Sequence, residues 1–247
     1  MLKRTFDIAF STLGLLLLSP VILLCMILIW FQDWHSPFYV ASRAARGGGT
    51  FRMVKFRSMI VRADVSGVDS TAANDRRITI IGKVIRRAKL DEVPQLWNVF
   101  LGQMSFVGPR PNVIRETNLY TTQERRLLSV RPGITDISSI VFADEGDILR
   151  GSADPDLLYN QIIRPWKSQL GLLYVDRYSI ALDVKLILLT CMNALSRHRS
   201  LAAVQRILKR LGASEKLCQV CRRDQELPAA PPPGARNVVT SRDAAPV

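Results

Sequence analysis

The longest apolar stretch of the chain runs from Ile8 to Phe31, and the first charged residue after it is Asp33. This length is enough to cross a hydrocarbon core of about 30 Å. The stretch ends in Trp30-Phe31-Gln32-Asp33-Trp34, which is typical of an aromatic anchor at a membrane interface. A cleaved signal peptide would instead have a short apolar core and a small-x-small cleavage site. The pattern therefore predicts a membrane segment over residues 1–36.

Ser19-Pro20 interrupts the middle of this segment. Proline removes a backbone donor and bends a helix where lipid supplies no hydrogen-bond partner, so the segment either crosses with a bend or returns to the same side. The positive-inside tendency places basic flanks on the cytoplasmic side. Basic residues flank both ends of the segment: Lys3, Arg4, Arg43, Arg46, Arg52, Lys55 and Arg57. This charge pattern favours a re-entrant helix broken at Ser19 and Pro20, with the remaining chain facing the cytoplasm.

Shorter patterns follow the membrane segment. Residues 38–40 and 51–56 alternate apolar and polar positions, which predicts a β-hairpin around the Arg46-Gly47-Gly48-Gly49-Thr50 turn. Periodicity, Pro94 and the stop at Gly102 predict helices over residues 80–89, 94–101 and 116–130. Residues 66–75 are polar without periodicity, which predicts a mobile loop. Residues 170–195 predict an amphipathic helix that lies on the membrane surface or packs on the domain core.

Length and composition limit the domain organisation. A chain of 247 residues with 48% hydrophobic residues can form one compact domain beside the membrane segment. We expect a cytoplasmic catalytic domain over residues 37–200 and a tail over residues 201–247. The tail is basic and then rich in Pro and Ala, a composition that predicts disorder at its end. The predicted fold class is α/β and mostly helical, with a re-entrant membrane helix, a short β-hairpin and interfacial amphipathic helices.

The net charge of +13, from 34 Lys and Arg against 21 Asp and Glu, indicates a polyanionic partner such as a phosphorylated molecule or an anionic lipid surface. The aromatic residues cluster near the membrane segment instead of alternating with basic residues, so we expect no nucleic acid partner. A non-catalytic, membrane-tethered basic module that binds anionic lipid or phosphorylated partners is the alternative to an enzyme. The sequence leaves a homo-oligomer open.

The four cysteines do not form a disulfide framework for a chain of this size, and they favour a reducing compartment. Cys218 and Cys221 have the spacing of half a zinc site. The only histidines, His35 and His198, lie far from them in the sequence and supply no second ligand pair. The sequence therefore gives no role to this cysteine pair.

Asp91 and Glu92 are adjacent carboxylates just before Pro94, which suits the first turn of a helix. Helix capping is the simplest role for such residues. The helix dipole keeps carboxylates ionised there, and their mutual repulsion calls for a cation, either Mg²⁺ or an arginine such as Arg86. An ionised carboxylate can attack phosphorus to form an acyl phosphate. These residues are therefore candidates for phosphoryl chemistry.

Several basic side chains lie beside constrained turns, a common arrangement for binding phosphate. Each one alone could be a solvated basic loop, but together they favour a phosphate site. The segments are Lys55-Phe56-Arg57-Ser58-Met59, Asp75-Arg76-Arg77-Ile78-Thr79, Arg86, Gly108-Pro109-Arg110-Pro111 and Arg131-Pro132-Gly133-Ile134-Thr135.

These segments, with Lys3-Arg4-x-Phe6-Asp7, Ser19-Pro20 and Leu90-Asp91-Glu92-x-Pro94-Gln95-Leu96, resemble the bacterial sugar transferases. More narrowly, the chain resembles the small form of the monotopic phosphoglycosyl transferases. The likeness covers residues 1–140 in order and continues more loosely to about residue 195. After Thr135 many members continue with Gly-Leu-Ala-Gln, whereas this chain has Asp136-Ile137-Ser138-Ser139-Ile140 and then Glu145-Gly146-Asp147, so the choice of sugar is open.

The resemblance implies an enzyme of the bacterial inner membrane that transfers a sugar phosphate from a UDP-sugar to undecaprenyl phosphate and begins the synthesis of a surface glycan. It implies that Asp91 is the nucleophile, that Glu92 assists, and that Mg²⁺ binds at Asp91. UMP would leave, and the polyprenyl phosphate would then attack the aspartyl intermediate. The same resemblance makes five basic residues candidates for phosphate or nucleotide contacts: Lys55, Arg57, Arg86, Arg110 and Arg131.

Overall fold

A computed structural model describes residues 2–63, 71 and 74–241. Most of these residues are helical. The helices are α1 (Leu2–Asp33), α2 (Ile80–Arg87), α3 (Gln95–Phe100), α4 (Ile114–Asn118), α5 (Ile137–Val141), α6 (Glu145–Ile148), α7 (Pro155–Ile162), α8 (Arg164–Arg177), α9 (Ile180–Leu195), α10 (Arg197–Leu211) and α11 (Glu215–Val220). The strands are β1 (Phe38–Ala44), β2 (Thr50–Phe56), β3 (Ser105–Val107) and β4 (Gly133–Thr135). The mostly helical fold with a small amount of sheet is as predicted.

The β-hairpin predicted from the alternating pattern is present. Strands β1 and β2 are antiparallel, with Phe38 opposite Phe56 and Ala44 opposite Thr50. Asn98 of α3 joins the hairpin from the side, because its amide Nδ2 donates to the Arg52 carbonyl at 2.8 Å and its Oδ1 accepts from the Val54 N–H at 2.9 Å. The hairpin and the helix that follows the two carboxylates are therefore held in one body.

Strands β3 and β4 form a second, parallel pair, with Ser105 opposite Gly133 and Val107 opposite Thr135. The backbones of the two segments approach closely just beyond β3, where a Cβ atom added to Gly133 would lie 2.1 Å from the Gly108 backbone nitrogen. A Cβ atom at Gly108 would lie 2.4 Å from the Arg131 carbonyl oxygen. Only glycine fits at both positions, which explains the glycine in each of the two basic turns.

Helix α1 continues through Ser19 and Pro20 without interruption, and both residues are exposed. The Ser19 Oγ donates to the Leu16 carbonyl at 2.8 Å. This is the carbonyl that would accept from a backbone N–H at position 20, which proline lacks. Among the described residues α1 is the one helix long and apolar enough to cross a membrane. Most of its large apolar side chains are exposed, so a membrane anchor is compatible with this helix.

Both ends of α1 are attached to the rest of the protein. Near the first turn, Lys3 forms an ion pair with Asp183 of α9, and Asp7 accepts from the Ser105 hydroxyl at 3.0 Å and the Phe106 N–H at 3.1 Å. At the last turn, Asp33 forms a two-point ion pair with the Arg57 guanidinium, with distances of 2.5 and 2.6 Å. Helix α1 therefore lies along the domain over its length.

The main core lies among the C-terminal helices. Val141 of α5, Leu170 of α8 and Leu186 of α9 are fully buried in it. Residues from 201 onward were expected to form a tail, but they pack on the domain. Helix α10 adds Val204 and Leu208 to the same core, and α11 and the residue after it add Leu217 and Cys221. Leu201, Val204 and Leu208 recur at helical spacing, so the basic residues between them occupy the outer face of an amphipathic helix.

The Pro- and Ala-rich end also packs on the domain as far as residue 241, although disorder was expected there. The Trp166 Nε1–H donates to the Pro228 carbonyl at 3.0 Å, and the Ala230 N–H donates to the Gln161 carbonyl at 3.1 Å. Ala230 and Val239 are buried. The side chains of this segment are too small to form a core, and hydrogen bonds to its backbone hold it on the domain. Composition alone does not reveal such bonds.

Two predicted helices are divided in the structure. The helix expected over 116–130 is α4 followed by a 3₁₀ segment at Glu124–Ser129, because Glu124 is held by a reciprocal pair of bonds with Thr121. The helix expected over 170–195 is α8 and α9, because the Ser179 hydroxyl accepts from the Leu182 N–H at 3.2 Å and caps a new helix. Most of the loop expected over 66–75 lies outside the described residues.

Candidate active site

The two candidate carboxylates lie on a 3₁₀ turn, Leu90–Glu92, between α2 and α3. Lys89 enters this turn with a left-handed backbone, at φ 57°, and so reverses the chain direction after α2. Pro94 caps α3, which begins one residue later than predicted, and Gly102 follows its end at φ 80°. The two short helices and the turn between them fix the carboxylates at the wall of a cavity.

Glu92 is held by two cations. Its Oε1 accepts from the Lys55 ammonium at 3.3 Å, and the Arg110 guanidinium contacts both carboxylate oxygens, with 3.3 Å between Nη1 and Oε2. Although burial raises the pKa of Glu92, Arg110 and Lys55 outweigh it and hold this pKa well below its usual range. Glu92 in turn raises the pKa of Arg110, so this pair stays charged.

Asp91 differs from its neighbour because its carboxylate makes no hydrogen bond or ion pair within the described residues. Burial, followed by repulsion from Glu92, raises the pKa of Asp91 above its ordinary value of 3.8. Lys55, Arg86 and Arg110 act in the opposite direction. Asp91 is therefore a carboxylate with cations nearby but with both oxygens available to a ligand.

The cavity has a volume of about 1670 Å³. The structure brings six of the predicted site residues to its wall: Asp91, Glu92, Lys55, Arg57, Arg86 and Arg110. Burial and the charge of Arg110 lower the pKa of Lys55, while Glu92 and Asp91 raise it. Arg131 differs from the other basic candidates. The described cavity wall contains its neighbours Val130 and Pro132 but not Arg131 itself. Its phosphate-binding role stays a prediction.

Arg57 has a different environment from the other basic candidates. Although it borders the cavity, Arg57 is only 8% exposed, and its guanidinium binds Asp33 and the Ser36 carbonyl, the latter at 2.7 Å. These partners occupy Nε and both terminal nitrogens. Arg57 therefore anchors the end of α1, and the structure gives its guanidinium no free edge for phosphate.

Part of the cavity wall comes from the C-terminal half of the chain. Glu145 of α6 lies in the segment that departs from the common family pattern, and it lines the cavity together with Tyr159 of α7 and Lys167 of α8; Lys167 forms an ion pair with Glu145. Glu116 of α4 lines the cavity as well. The sequence showed Glu145 as part of a departure but gave it no role, and the other three carried no local signal because tertiary packing alone brings them to the site.

Magnesium binding depends on carboxylates that are free to coordinate. The described residues contain no cluster of three or more His, Cys, Asp or Glu that could hold a metal alone. Mg²⁺ often uses one or two protein carboxylates together with substrate phosphates. The unpaired Asp91 carboxylate fits such a site, whereas Glu92 is occupied by Lys55 and Arg110.

Comparisons with known proteins identify the family of this chain. Residues 1–197 match the family model described as bacterial sugar transferase. The chain is 36% identical over 207 residues to the exopolysaccharide production protein PSS of Rhizobium leguminosarum bv. phaseoli, covering 79% of this chain and 96% of that protein. It is 39% identical over 155 residues to the exopolysaccharide production protein ExoY of Rhizobium meliloti, covering 57% and 69% of the two chains.

A third relative has a more specific name. The chain is 34% identical over 191 residues to the UDP-glucose:undecaprenyl-phosphate glucose-1-phosphate transferase of Klebsiella pneumoniae, covering 76% of this chain and 39% of that protein. The family match covers most of the present chain, including the dyad turn and every basic candidate. The chain therefore belongs to the bacterial sugar transferase family and is a phosphoglycosyl transferase.

Proposed function

We propose that this enzyme transfers a sugar 1-phosphate from a UDP-sugar to undecaprenyl phosphate through a covalent intermediate on Asp91. The observation that carries the proposal is the contrast within the dyad: Glu92 is bound by two cations, while Asp91 is unpaired at the wall of a large cavity. A carboxylate with no protein partner, beside cations that can hold phosphate, suits a nucleophile that must approach phosphorus.

In the first step a carboxylate oxygen of Asp91 attacks the β-phosphorus of the UDP-sugar. The bond from this phosphorus to the bridging oxygen breaks, and UMP leaves with the bonding electrons. The product is an acyl phosphate that carries the sugar. In the second step a phosphate oxygen of undecaprenyl phosphate attacks the same phosphorus, which restores the Asp91 carboxylate and forms a polyprenyl diphosphate sugar.

The surrounding residues support this chemistry electrostatically. Glu92 holds Lys55 and Arg110 at the cavity wall, where their remaining N–H groups can donate to phosphate oxygens. Arg86 also lines the cavity, and its charge acts on Asp91. Mg²⁺ bound at Asp91 and the diphosphate would neutralise charge that develops on the phosphate oxygens. Arg131 is a further candidate for the nucleotide, as the family resemblance implies.

The attachment of both ends of α1 to one body supports a single-sided membrane segment, whereas the re-entrant break at Ser19 and Pro20 stays a prediction. A helix of 32 residues is about 48 Å long, which exceeds a hydrocarbon core of about 30 Å. A crossing would place one end on the far side of the membrane, away from the domain. Lys3 and Asp33 instead bind Asp183 and Arg57 of the same body, which favours a position of both ends on one side.

Exposed apolar side chains extend from α1 onto neighbouring elements. Helix α3 packs against α1, and Lys3 joins α1 to α9. The exposed apolar residues are Leu16, Leu17, Trp30 and Phe31 on α1, Trp97 and Phe100 on α3, and Val184 and Leu188 on α9. This surface suits insertion into one leaflet of the inner membrane, with the catalytic cavity facing the cytoplasm, where UDP-sugars are made available.

The direct test is UMP release by detergent-solubilised protein supplied with Mg²⁺, undecaprenyl phosphate and a panel of UDP-sugars. Wild type should release UMP from at least one donor and form a lipid-linked sugar, while Asp91→Asn should release none. Asp224→Asn, an exposed aspartate outside the cavity, is the matched control and should act as wild type. Undiminished UMP release by Asp91→Asn would overturn the proposal.

A further inference from the structure

Glu116 is a buried carboxylate for which the proposed chemistry has no task. It is only 6% exposed, and its Oε2 has no hydrogen-bond partner among the described residues. A buried polar atom without a partner destabilises the folded protein, so its retention calls for an explanation. Because Glu116 also lines the catalytic cavity, a bound ligand is the partner that the site lacks.

The cations nearest to Glu116 are occupied by other acceptors. The Arg164 guanidinium donates to Glu124 at 2.7 and 3.0 Å and to the Asn160 Oδ1 at 3.0 Å. Arg115 pairs with Asp156 at 3.2 Å. Burial raises the pKa of Glu116. The charge of Arg164 and a side-chain hydrogen bond with Asn160 lower this pKa, but by less. Among the residues that the structure describes, Glu116 is therefore not one half of an ion pair.

Tyr159 lines the same cavity as Glu116 and the dyad. Its phenol makes no hydrogen bond within the described residues, yet it lines the cavity. After burial, the charges that act on the pKa of Tyr159 come from Glu145, Glu116, Arg164 and Arg110, so the phenol lies among these groups. Arg110 also binds Glu92. One side chain, Arg110, thus connects the dyad to the part of the cavity that contains Tyr159 and Glu116.

The reaction itself indicates what occupies this part of the cavity. In a UDP-sugar the sugar is bonded directly to the phosphate that Asp91 attacks, whereas the nucleoside belongs to the leaving UMP. The ring next to the reacting phosphorus is therefore the transferred sugar. A carboxylate accepts hydrogen bonds from sugar hydroxyls, and a phenol can donate or accept them.

We propose that Glu116 and Tyr159 form the subsite that binds the hydroxyl groups of the transferred sugar and thereby selects the donor. The proposal rests on the proposed function and goes beyond it by assigning sugar choice to particular residues. Ribose also carries neighbouring hydroxyl groups, so the test must separate the sugar from the nucleoside. A site built to bind a hydroxyl group rejects an analogue that lacks it, because the polar group of the site then stays unpaired.

The test compares wild type, Glu116→Gln and Tyr159→Phe with UDP-sugars and with their deoxy analogues, using kcat/KM for UMP release. Each substitution should lower kcat/KM for the preferred donor about 10- to 100-fold and lower it less than about 3-fold for the analogue without the contacted hydroxyl. UMP inhibition should stay within about 2-fold of wild type. Glu226→Gln, at an exposed glutamate outside the cavity, should leave all these values unchanged.

Equal losses for all donors and analogues would overturn the subsite, because they indicate a structural role. Weaker inhibition by UMP would overturn it in favour of ribose. Binding of UDP-sugar relative to UDP in the Asp91→Asn background tests the subsite without turnover, and there Glu116→Gln should remove most of the affinity that the sugar adds. If wild type releases no UMP while this binding result holds, the proposed reaction fails and the subsite stands.

Discussion

Asp91 and Glu92 are neighbours on one 3₁₀ turn, yet only the Glu92 carboxylate is bound by cations of the protein. The turn directs Glu92 toward Lys55 and Arg110 and leaves Asp91 unpaired at the cavity wall. Two adjacent carboxylates therefore have different electrostatic environments. The difference in their pKa directions follows from this geometry, since Glu92 is stabilised as an anion and Asp91 is not.

Asp91→Asn should stabilise the protein while it abolishes transfer. Because the pKa of Asp91 is raised in the folded state, ionisation opposes folding: the cost is absent well below pH 3.8 and is complete above the raised pKa. Removing the charge should increase the free energy of unfolding at pH 7 by about 1 kcal/mol. Thermal unfolding measures this change, and Asp224→Asn should show none. A lower Tm for Asp91→Asn would contradict the account.

Glu92→Gln should shift the pH dependence of the residual activity. The Glu92 charge raises the pKa of Asp91, and its removal also frees Lys55 and Arg110 to act on Asp91. Both effects lower the pKa of Asp91. The acid limb of kcat/KM for UMP release should therefore move to lower pH than in wild type. A limb that moves to higher pH would show that Asp91 is not the group that must be ionised.

Arg57→Ala should reduce stability without reducing nucleotide affinity. It leaves the Asp33 carboxylate without its two-point partner, which should cost about 2–3 kcal/mol in a partly buried ion pair. Arg110→Ala should instead weaken UMP binding, because Arg110 is the cavity-facing cation beside the dyad. Thermal unfolding and UMP binding, measured on both variants, separate the two roles. Equal losses of UMP affinity would return Arg57 to the phosphate site.

Gly133→Ala should destabilise the fold strongly. The new Cβ atom would lie 2.1 Å from the Gly108 nitrogen, and neither backbone can move without disturbing the β3–β4 pair. The free energy of unfolding should fall by about 3 kcal/mol or more, which is at the upper end of the range for overpacking. Gly49→Ala is the control, because no atom lies within 4 Å of its added Cβ and its φ is −73°. A Gly133→Ala protein as stable as this control would contradict the close approach.

Local patterns were sufficient for the elements whose determinants are close in sequence. The hairpin, the short helix before the dyad and the stop at Gly102 follow from alternation, periodicity and glycine. The break between α8 and α9 depends on one hydroxyl, that of Ser179, which competes with apolar periodicity on both sides. Composition did not predict the packing of residues 201–241, because the spacing of a few apolar residues and backbone hydrogen bonds decide it.

The site shows the same limit. Asp91, Glu92, Lys55 and Arg110 were found from motifs, but their different roles depend on which carboxylate the cations reach. Arg57 was expected to bind phosphate. Its ion pair with Asp33 could not be predicted from the local sequence, because the two residues lie 24 positions apart. Glu116 and Tyr159 carried no local signal, since only the packing of α4 and α7 brings them to the cavity.

The most direct test of the central claim is intact-protein and peptide mass spectrometry after incubation with Mg²⁺ and the active UDP-sugar, without undecaprenyl phosphate. The account predicts up to one added sugar phosphate per protein, located on the peptide that contains Asp91, with an equal amount of UMP. Adding undecaprenyl phosphate should remove the adduct, and Asp91→Asn should form none. An adduct on another residue, or full UMP release by Asp91→Asn, would contradict Asp91 as the nucleophile.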